Sequence, residues 1–400
     1  MRVIVTALAP SHLLCMTPLA WALRSAGHEV LVAGRADVAA MAGRSGLDAV
    51  GAGGGGGRRG RPAPAPRVAP PPVHSSARWS DEAADIWGPA AEKWPARVGA
   101  VIDDCLTAAR YWRADLVLCD PAEFTGLIVG GLLGIPTVMH WWGAPDRMSA
   151  EALRRAGPIL APLCAELGLA GGLPRPDLVI DPCPPSLRLP GSHEEPPQPM
   201  RFVPSNGAGA VPRWAGAPRG RRRACVSFGA FGGEALANGG ELPALLGAVG
   251  EALGRDHDVV VPLPPELHRG LGELPPGVRL VAPAPLDSFL HTCDVVVHHG
   301  GTGTAMTALT HGLPQIVCGT PHPALAGCGD GLVRRGAAVR VPADGADPVA
   351  LRAGLRKAAD TVSDDERFAR NAREAAAENA AQPTPAATVS VLEALVARAA

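Results

Sequence analysis

The segment Val295-Val-Val-His-His-Gly-Gly-Thr-Gly-Thr304, leading into an apolar helix and then His311-Gly-Leu-Pro-Gln315, is the part of the chain best suited to chemistry. Its valines predict a buried strand that opens onto glycines and then a helix. Such a junction leaves the first N–H groups of the helix without partners and sets the positive end of the helix dipole at the loop. That is an anion site, and Gly300, Gly301 and Gly303 let a diphosphate approach the backbone closely. His299 adds a side-chain donor, and Thr302 and Thr304 add hydroxyls. The simpler alternative is that His299 only fills the top of a sheet and the glycines serve packing. A second chemical residue, His12, falls in the predicted loop 9–13 after the first strand. In an open parallel sheet, ligands meet loops at the carboxyl ends of strands.

These residues need a scaffold, and the apolar pattern supplies one. Residues 2–8 form a β-rich run, 14–26 carry apolar side chains at helical spacing closed by Gly27, and 28–33 read as a second strand. The segments 36–45 and 47–50 extend the alternation. Residues 80–112 read as mainly helical, 115–120 as a buried strand, 122–134 as a helix and 136–139 as a strand. From 182 to 218 the chain is rich in proline and glycine with little periodicity, closed by the basic run of Arg219 and Arg221 to Arg223. A second alternation then begins with a strand at 224–228. It continues through helix 241–254, strands 258–262 and 278–281, a short helix at 286–291, strand 294–297, helix 303–311, strand 315–318, helix 325–335 and strand 337–341. Helices near 347–359, 364–380 and 386–398 close the chain. The fold class is α/β, with two doubly wound Rossmann-like domains facing a cleft. The expected division is 1–205, a linker 206–223, 224–385, and a last helix 386–400.

Composition limits the partners. There are 37 basic and 38 acidic side chains in 400 residues, a formal net charge of −1. A general nucleic-acid or acidic-membrane binder would need a basic excess. The 49 glycines and 42 prolines cluster in particular segments, so the 47% apolar content is left in short runs that can build one or two cores. One cluster, 53–57, is followed by Arg58, Arg59 and Arg61 and then prolines, and reads as a surface loop because no strand-to-helix frame surrounds it. Nine cysteines, without any C-x-x-C, read as reduced core packing in a cytoplasmic protein. His12 and Pro18 interrupt the apolar start, so no signal peptide is expected. Pro136 and His140 break the uncharged stretch 126–144, which argues against a membrane span.

The motifs together resemble the two-domain (GT-B) glycosyltransferases of family 1, especially the actinobacterial enzymes that decorate macrolides, enediynes and aromatic polyketides. The resemblance covers nearly the whole chain. Its amino-terminal part is His12-Leu-Leu-Cys-Met-Thr-Pro-Leu-Ala-Trp-Ala-Leu-Arg-Ser-Ala-Gly-His-Glu-Val30. Its middle part is Pro184-Pro-Ser-Leu, Met200-Arg-Phe-Val-Pro204 and Val211-Pro-Arg-Trp214, and its tail is Pro383-Thr-Pro385. The His-His-Gly-Gly-Thr-Gly-Thr loop is the most specific element. The resemblance implies an inverting, metal-independent transferase that moves a deoxysugar from a nucleoside-diphosphate donor, expected to be thymidine diphosphate (TDP), onto a hydroxyl of a hydrophobic natural product. His12 would be the general base, as imidazole titrates near the working range. Asp120 would orient it, although a carboxylate capping the next helix is an equal reading of that position. His299, Gly300, Gly301, Gly303 and Thr304 would hold the diphosphate, and Ser227, Gly229, Ala284 and Leu286 the nucleoside. Trp79, Trp87, Trp141 and Trp142 are candidate acceptor lining, with core packing as the alternative for tryptophans of this region.

Two positions depart from the family pattern. An Asp-Gln pair that contacts donor-sugar hydroxyls falls here on Pro323 and Ala324, which leaves His322 or Asp330 as substitutes or implies a deoxygenated sugar. A tryptophan expected near the base-binding turn is Pro283. The one Asp-x-Asp, Asp256-His-Asp258, begins a strand far from the other motifs and reads as a solvated turn, so no metal site and no cofactor beyond the nucleotide-sugar co-substrate are expected. C-glycosylation and a non-catalytic paralogue that partners another transferase remain open, as does a homodimer. The expected partners are therefore small molecules, with no nucleic acid and no stable membrane insertion.

Overall fold

The computed structural model describes residues 1–53, 91–143, 148–188, 196–217, 220–229, 242–268, 271–318, 323–342 and 348–399. Two parallel sheets dominate it. The first contains seven strands: β1 (Arg2–Thr6), β2 (Glu29–Gly34), β3 (Asp48–Gly51), β4 (Leu116–Cys119), β5 (Thr137–His140), β6 (Leu178–Asp181) and β7 (Gln198–Pro199), in the order β3-β2-β1-β4-β5-β6-β7. The second contains six: β8 (Arg222–Ser227), β9 (His257–Pro262), β10 (Val278–Val281), β11 (Val295–His298), β12 (Gln315–Cys318) and β13 (Ala338–Val341), in the order β10-β9-β8-β11-β12-β13. Strand order reverses between β1 and β4 and again between β8 and β11. These reversals are the switch points at which doubly wound sheets accept ligands, and the expected two-domain α/β class holds.

Near-continuous apolar strands are what a parallel sheet covered on both faces requires. Val3 and Val5 enter one core with Leu13, Met16 and Leu118, while Ile4 between them points to the opposite core with Val117 and Phe124. In the second sheet Ala224 and Val226 pack on one face and Cys225 on the other. Eight of the nine cysteines are buried in this way. No helix among the described residues is long and apolar enough to cross a membrane.

Several elements begin elsewhere than the pattern predicts. Helix α1 spans Pro10–Ser25, so His12 lies in its first turn and not in a loop. Pro10 explains the early start, because the first helical position needs no N–H donor and a φ near that of proline. β8 opens at Arg222 because the Arg223 guanidinium is buried, held by Asp258 at 3.2 Å and by the Thr292 hydroxyl at 2.7 Å. Asp258 also meets Arg279 at 3.0 Å, and Asp256 meets Arg356 at 3.1 Å. The Asp-x-Asp is thus ion-paired and not simply solvated, and no metal-holding cluster occurs among the described residues.

A helix at Met148–Glu166 was not apparent from the sequence, since Pro158 and Pro162 lie inside it. The buried series Ala152, Ala156, Leu160 and Cys164, at steps of four, is the signal that reveals it. The chain also returns at its end. In the last helix, Pro385–Ala399, Val389 and Leu392 complete the core of β1 and α1, and Glu393 meets His28 at 2.9 Å. Just before it, Asn379 exchanges two hydrogen bonds of 2.9 Å with the Phe202 backbone, tying the crossing to the end of the first domain.

Candidate functional site

At the first switch point, Thr6 of β1 lies beside Cys119 of β4, so the residues that follow each strand emerge together. His12 and Asp120, 108 positions apart, meet with Nδ1 to Oδ2 at 3.2 Å. Asp120 is fully buried, whereas the His12 side chain is 24% exposed. The Asp120 carboxylate also accepts the Leu8 N–H at 2.6 Å and the Ala122 N–H at 2.7 Å. Its geometry is therefore fixed before any ligand arrives. Helix capping belongs instead to Glu123, whose two oxygens accept Thr125 N–H and Gly126 N–H at 3.1 Å each at the start of helix Thr125–Leu133. Burial, and then the neighbouring Asp120, raise the Glu123 pKa. With Nδ1 on Asp120, His12 has Nε2 left for a substrate proton.

Trp142 joins this pair. Its ring centroid is 4.4 Å from that of His12 at an interplanar angle of 49°, and its buried indole N–H has no protein partner. Trp141 is 4% exposed and packs in the core with Trp94, Phe124 and Met139. Trp79 and Trp87 lie outside the described residues.

The second switch point brings Ser227 of β8 beside His298 of β11. Helix α8, the eighth α-helix among the described residues, spans Thr302–Thr310, and Ala305 is its first residue to donate backward, to the Gly301 carbonyl at 3.0 Å. Thr302, Gly303 and Thr304 therefore carry the N–H groups that precede the hydrogen-bonded turns. His299 lies across this mouth. A Cβ on Gly301 would stand 2.6 Å from His299 Nε2, and one on Gly229 would stand 3.3 Å from its Cε1, so the ring needs the glycine at 301. His299 Nδ1 is buried without a partner. Burial pushes the His299 pKa down to about 4. The ring is therefore neutral at neutral pH and offers an N–H in place of a full charge. Gly300 turns the chain at φ +97°, and its own N–H points back to His298 Nδ1 at 3.0 Å; its contribution to an anion site is the corner and not a donor.

The turn containing Ala284 and Leu286 is held against α8 by residues that the motifs did not single out. Asn206 accepts the Asp287 N–H at 3.0 Å and donates to the Thr307 hydroxyl at 3.0 Å, and His311 meets Asp287 at 3.0 Å. Only contacts across the fold identify Asn206, because its neighbourhood in sequence has no periodicity. Asp330 lies in helix Pro323–Arg334, and its carboxylate meets Arg340 at 2.6 Å. His322 lies outside the described residues.

Three buried imidazoles make a prediction about stability. Burial lowers the pKa values of His140 and His299 to about 4 and that of His298 to about 3. The unfolded chain takes up these protons near pH 6.5, so between that value and pH 4 it binds more protons than the folded chain, and stability falls with acidification. Each residue contributes on the order of 3 kcal/mol across the whole window. The melting temperature should drop steadily below pH 6.5, and a value constant from pH 7 to 5 would contradict this assignment.

Comparison with known proteins agrees with the fold. Residues 21–229 match the family model described as erythromycin biosynthesis protein CIII-like, N-terminal domain, and residues 244–395 match its C-terminal domain counterpart. The chain is similar to a tylactone mycaminosyltransferase of Streptomyces fradiae, 34% identical over 99% of this chain and 93% of that relative. It is also similar to a TDP-daunosamine transferase of Streptomyces peucetius, 33% identical over 100% of this chain and 97% of that one. Among solved structures, the spinosyn rhamnosyltransferase SpnG complexed with thymidine diphosphate superposes with a TM-score of 0.80 at 33% identity, covering 98% of this chain and 100% of that chain. The same protein complexed with spinosyn aglycone gives 0.81 over the same coverage.

Proposed function

The chain belongs to the erythromycin biosynthesis protein CIII-like family of GT-B glycosyltransferases, and from that premise we propose that it transfers a deoxysugar from a TDP donor to a hydroxyl of a hydrophobic natural product, with inversion. The observation that carries the reading is the His12–Asp120 pair, an oriented and partly exposed imidazole at the first switch point. In the reaction, His12 Nε2 takes the proton of the acceptor hydroxyl as its oxygen attacks the anomeric carbon. The bond from that carbon to the donor phosphate breaks on the opposite face, and the electron pair leaves with TDP. Asp120 stabilises the imidazolium through Nδ1. The N-terminus of α8 and the neutral His299 N–H meet the charge that grows on the leaving diphosphate. Trp142, whose ring centroid lies 4.4 Å from that of His12, is suited to offer an apolar face to the acceptor.

Names of relatives support this direction: one carries TDP-daunosamine in its name, and the SpnG complexes hold TDP and an aglycone. The acceptor would sit at the first domain, beside His12, and the nucleotide at the second, at the N-terminus of α8. Pro323 opens its helix where the resemblance would set an acidic residue, and neither Pro323 nor Ala324 offers an acceptor for sugar hydroxyls. A site built without those acceptors should favour sugars without those hydroxyls. Deoxygenated TDP-sugars should exceed TDP-glucose by about tenfold or more in kcat/KM; a preference for glucose overturns this part. The reading as a whole is tested by incubating the protein with TDP-sugars and polyketide aglycones and following product mass. Transfer with an acid-labile linkage is expected. Absence of transfer together with absence of TDP binding would leave the non-catalytic alternative, and an acid-stable linkage would indicate attack through carbon.

A further inference from the structure

We propose that His298 is a positioning residue for the diphosphate loop, acting through a directed hydrogen-bond relay from Gly300 through His298 and Gln315 to Ala305. The proposal rests on the reading of residues 301–304 as the donor diphosphate site and adds how that site is held in shape.

His298 ends β11 and is fully buried, so it cannot itself meet a substrate from solvent. Its Nδ1 accepts the Gly300 N–H at 3.0 Å, which requires that nitrogen to be unprotonated. The ring proton must then reside on Nε2, which lies 2.7 Å from Gln315 Oε1 and donates to it. The orientation of the Gln315 amide follows, and its Nε2 donates to the Ala305 carbonyl at 3.1 Å. Each donor faces an acceptor along the whole chain, and reversing either the tautomer or the amide would set two donors or two acceptors against each other. Burial keeps the ring neutral, as the relay needs, by lowering its pKa to about 3.

The relay begins at Gly300 and ends at Ala305. Between those two residues lie the N–H groups of 301–304, the ones left for an anion. Gly300 holds a left-handed corner at φ +97°, and Ala305 makes the first backward bond of α8. Fixing both ends of so short a segment fixes the spacing of the donors within it, which is how a preorganised site avoids reorganising when charge arrives. Gln315 can play this part because β12 lies beside β11, with His298 paired to Val317. Gln315 is itself fully buried, and both ends of its amide are occupied.

Two substitutions separate the halves of the relay. In His298→Asn the amide oxygen takes the place of Nδ1 and keeps the acceptor for Gly300, while the link to Gln315 is lost. In His298→Gln the longer amide reaches Gln315 and the acceptor for Gly300 is lost. TDP binding by calorimetry should weaken by about tenfold or more in His298→Gln, which frees the Gly300 corner, and by a smaller factor of about threefold to fivefold in His298→Asn, which keeps that corner and releases only the Ala305 end. In turnover, the donor KM should rise in His298→Gln with the acceptor KM unchanged, a split that general loosening of the fold would not produce. Hydrogen exchange of the peptide spanning 298–305 in the nucleotide-free protein reads the relay independently: protection should fall in His298→Asn and fall further in His298→Gln. Affinity or exchange equal to the parent's in either variant, or equal between the two variants, overturns the relay. If the parent itself binds no TDP, the donor-site reading fails, and the exchange experiment still decides whether the relay holds the loop.

Discussion

Replacing His12 with alanine should lower kcat by about 10²- to 10⁴-fold, the range for removal of a positioned general base, while TDP affinity changes little. The two effects separate because His12 stands at the β1/β4 switch point, whereas the loop that would meet the diphosphate follows β11 in the other sheet. The fold should survive the change, since the imidazole makes its one hydrogen bond to a carboxylate that already holds Leu8 and Ala122. Asp120→Asn should behave differently. An amide has one acceptor oxygen where the carboxylate uses two, so it cannot satisfy Leu8, Ala122 and the His12 tautomer together. It should lose activity comparably and also melt lower. Rates at saturating donor and acceptor, with melting curves alongside, make the comparison. A His12→Ala protein that transfers sugar at the parental rate would falsify the assignment of the base.

His299→Ala is the second large effect, and it should appear in binding. A hydrogen bond to a charged group contributes about 1.5–3 kcal/mol, so TDP affinity should fall by about 10- to 100-fold. The lost group is the imidazole N–H; the N–H groups of α8 remain and hold some residual affinity. The parent should also show a pH signature. Burial has lowered the His299 pKa to about 4, and a diphosphate beside the ring would raise it. Binding then takes up a proton at mildly acidic pH, so TDP affinity should increase as pH falls from neutrality, and less so in His299→Ala. Calorimetry in buffers of different ionisation enthalpy measures that uptake directly. Equal affinity in parent and variant would remove His299 from the site.

Much of the scaffold was legible before any coordinates. Valine-rich runs, glycine stops and helical spacing identified β1, β4, β10, β11 and β12 to within a residue or two, because strands covered on both faces leave an uninterrupted apolar signature. Legibility failed where local signals conflict with tertiary packing. Prolines inside Met148–Glu166 obscured a helix whose stability comes from its buried face. Pro10 moved His12 from a loop into the first turn of α1. Trp141 and Trp142 are neighbours of identical type, and only the three-dimensional arrangement sends one into the core and the other onto His12.

What the sequence determined by itself was local: a strand that opens through glycines into a helix carries its own anion-binding chemistry, since the unpaired N–H groups and the dipole belong to that one segment. Pairings between distant segments were decided by the fold. His12 meets Asp120 because β1 and β4 are adjacent at a reversal of strand order, and His298 finds Gln315 because β12 lies beside β11. Side-chain hydrogen bonds of this kind depend on distances of about 3 Å. Spacing along the chain carries no information about them until the sheets have formed.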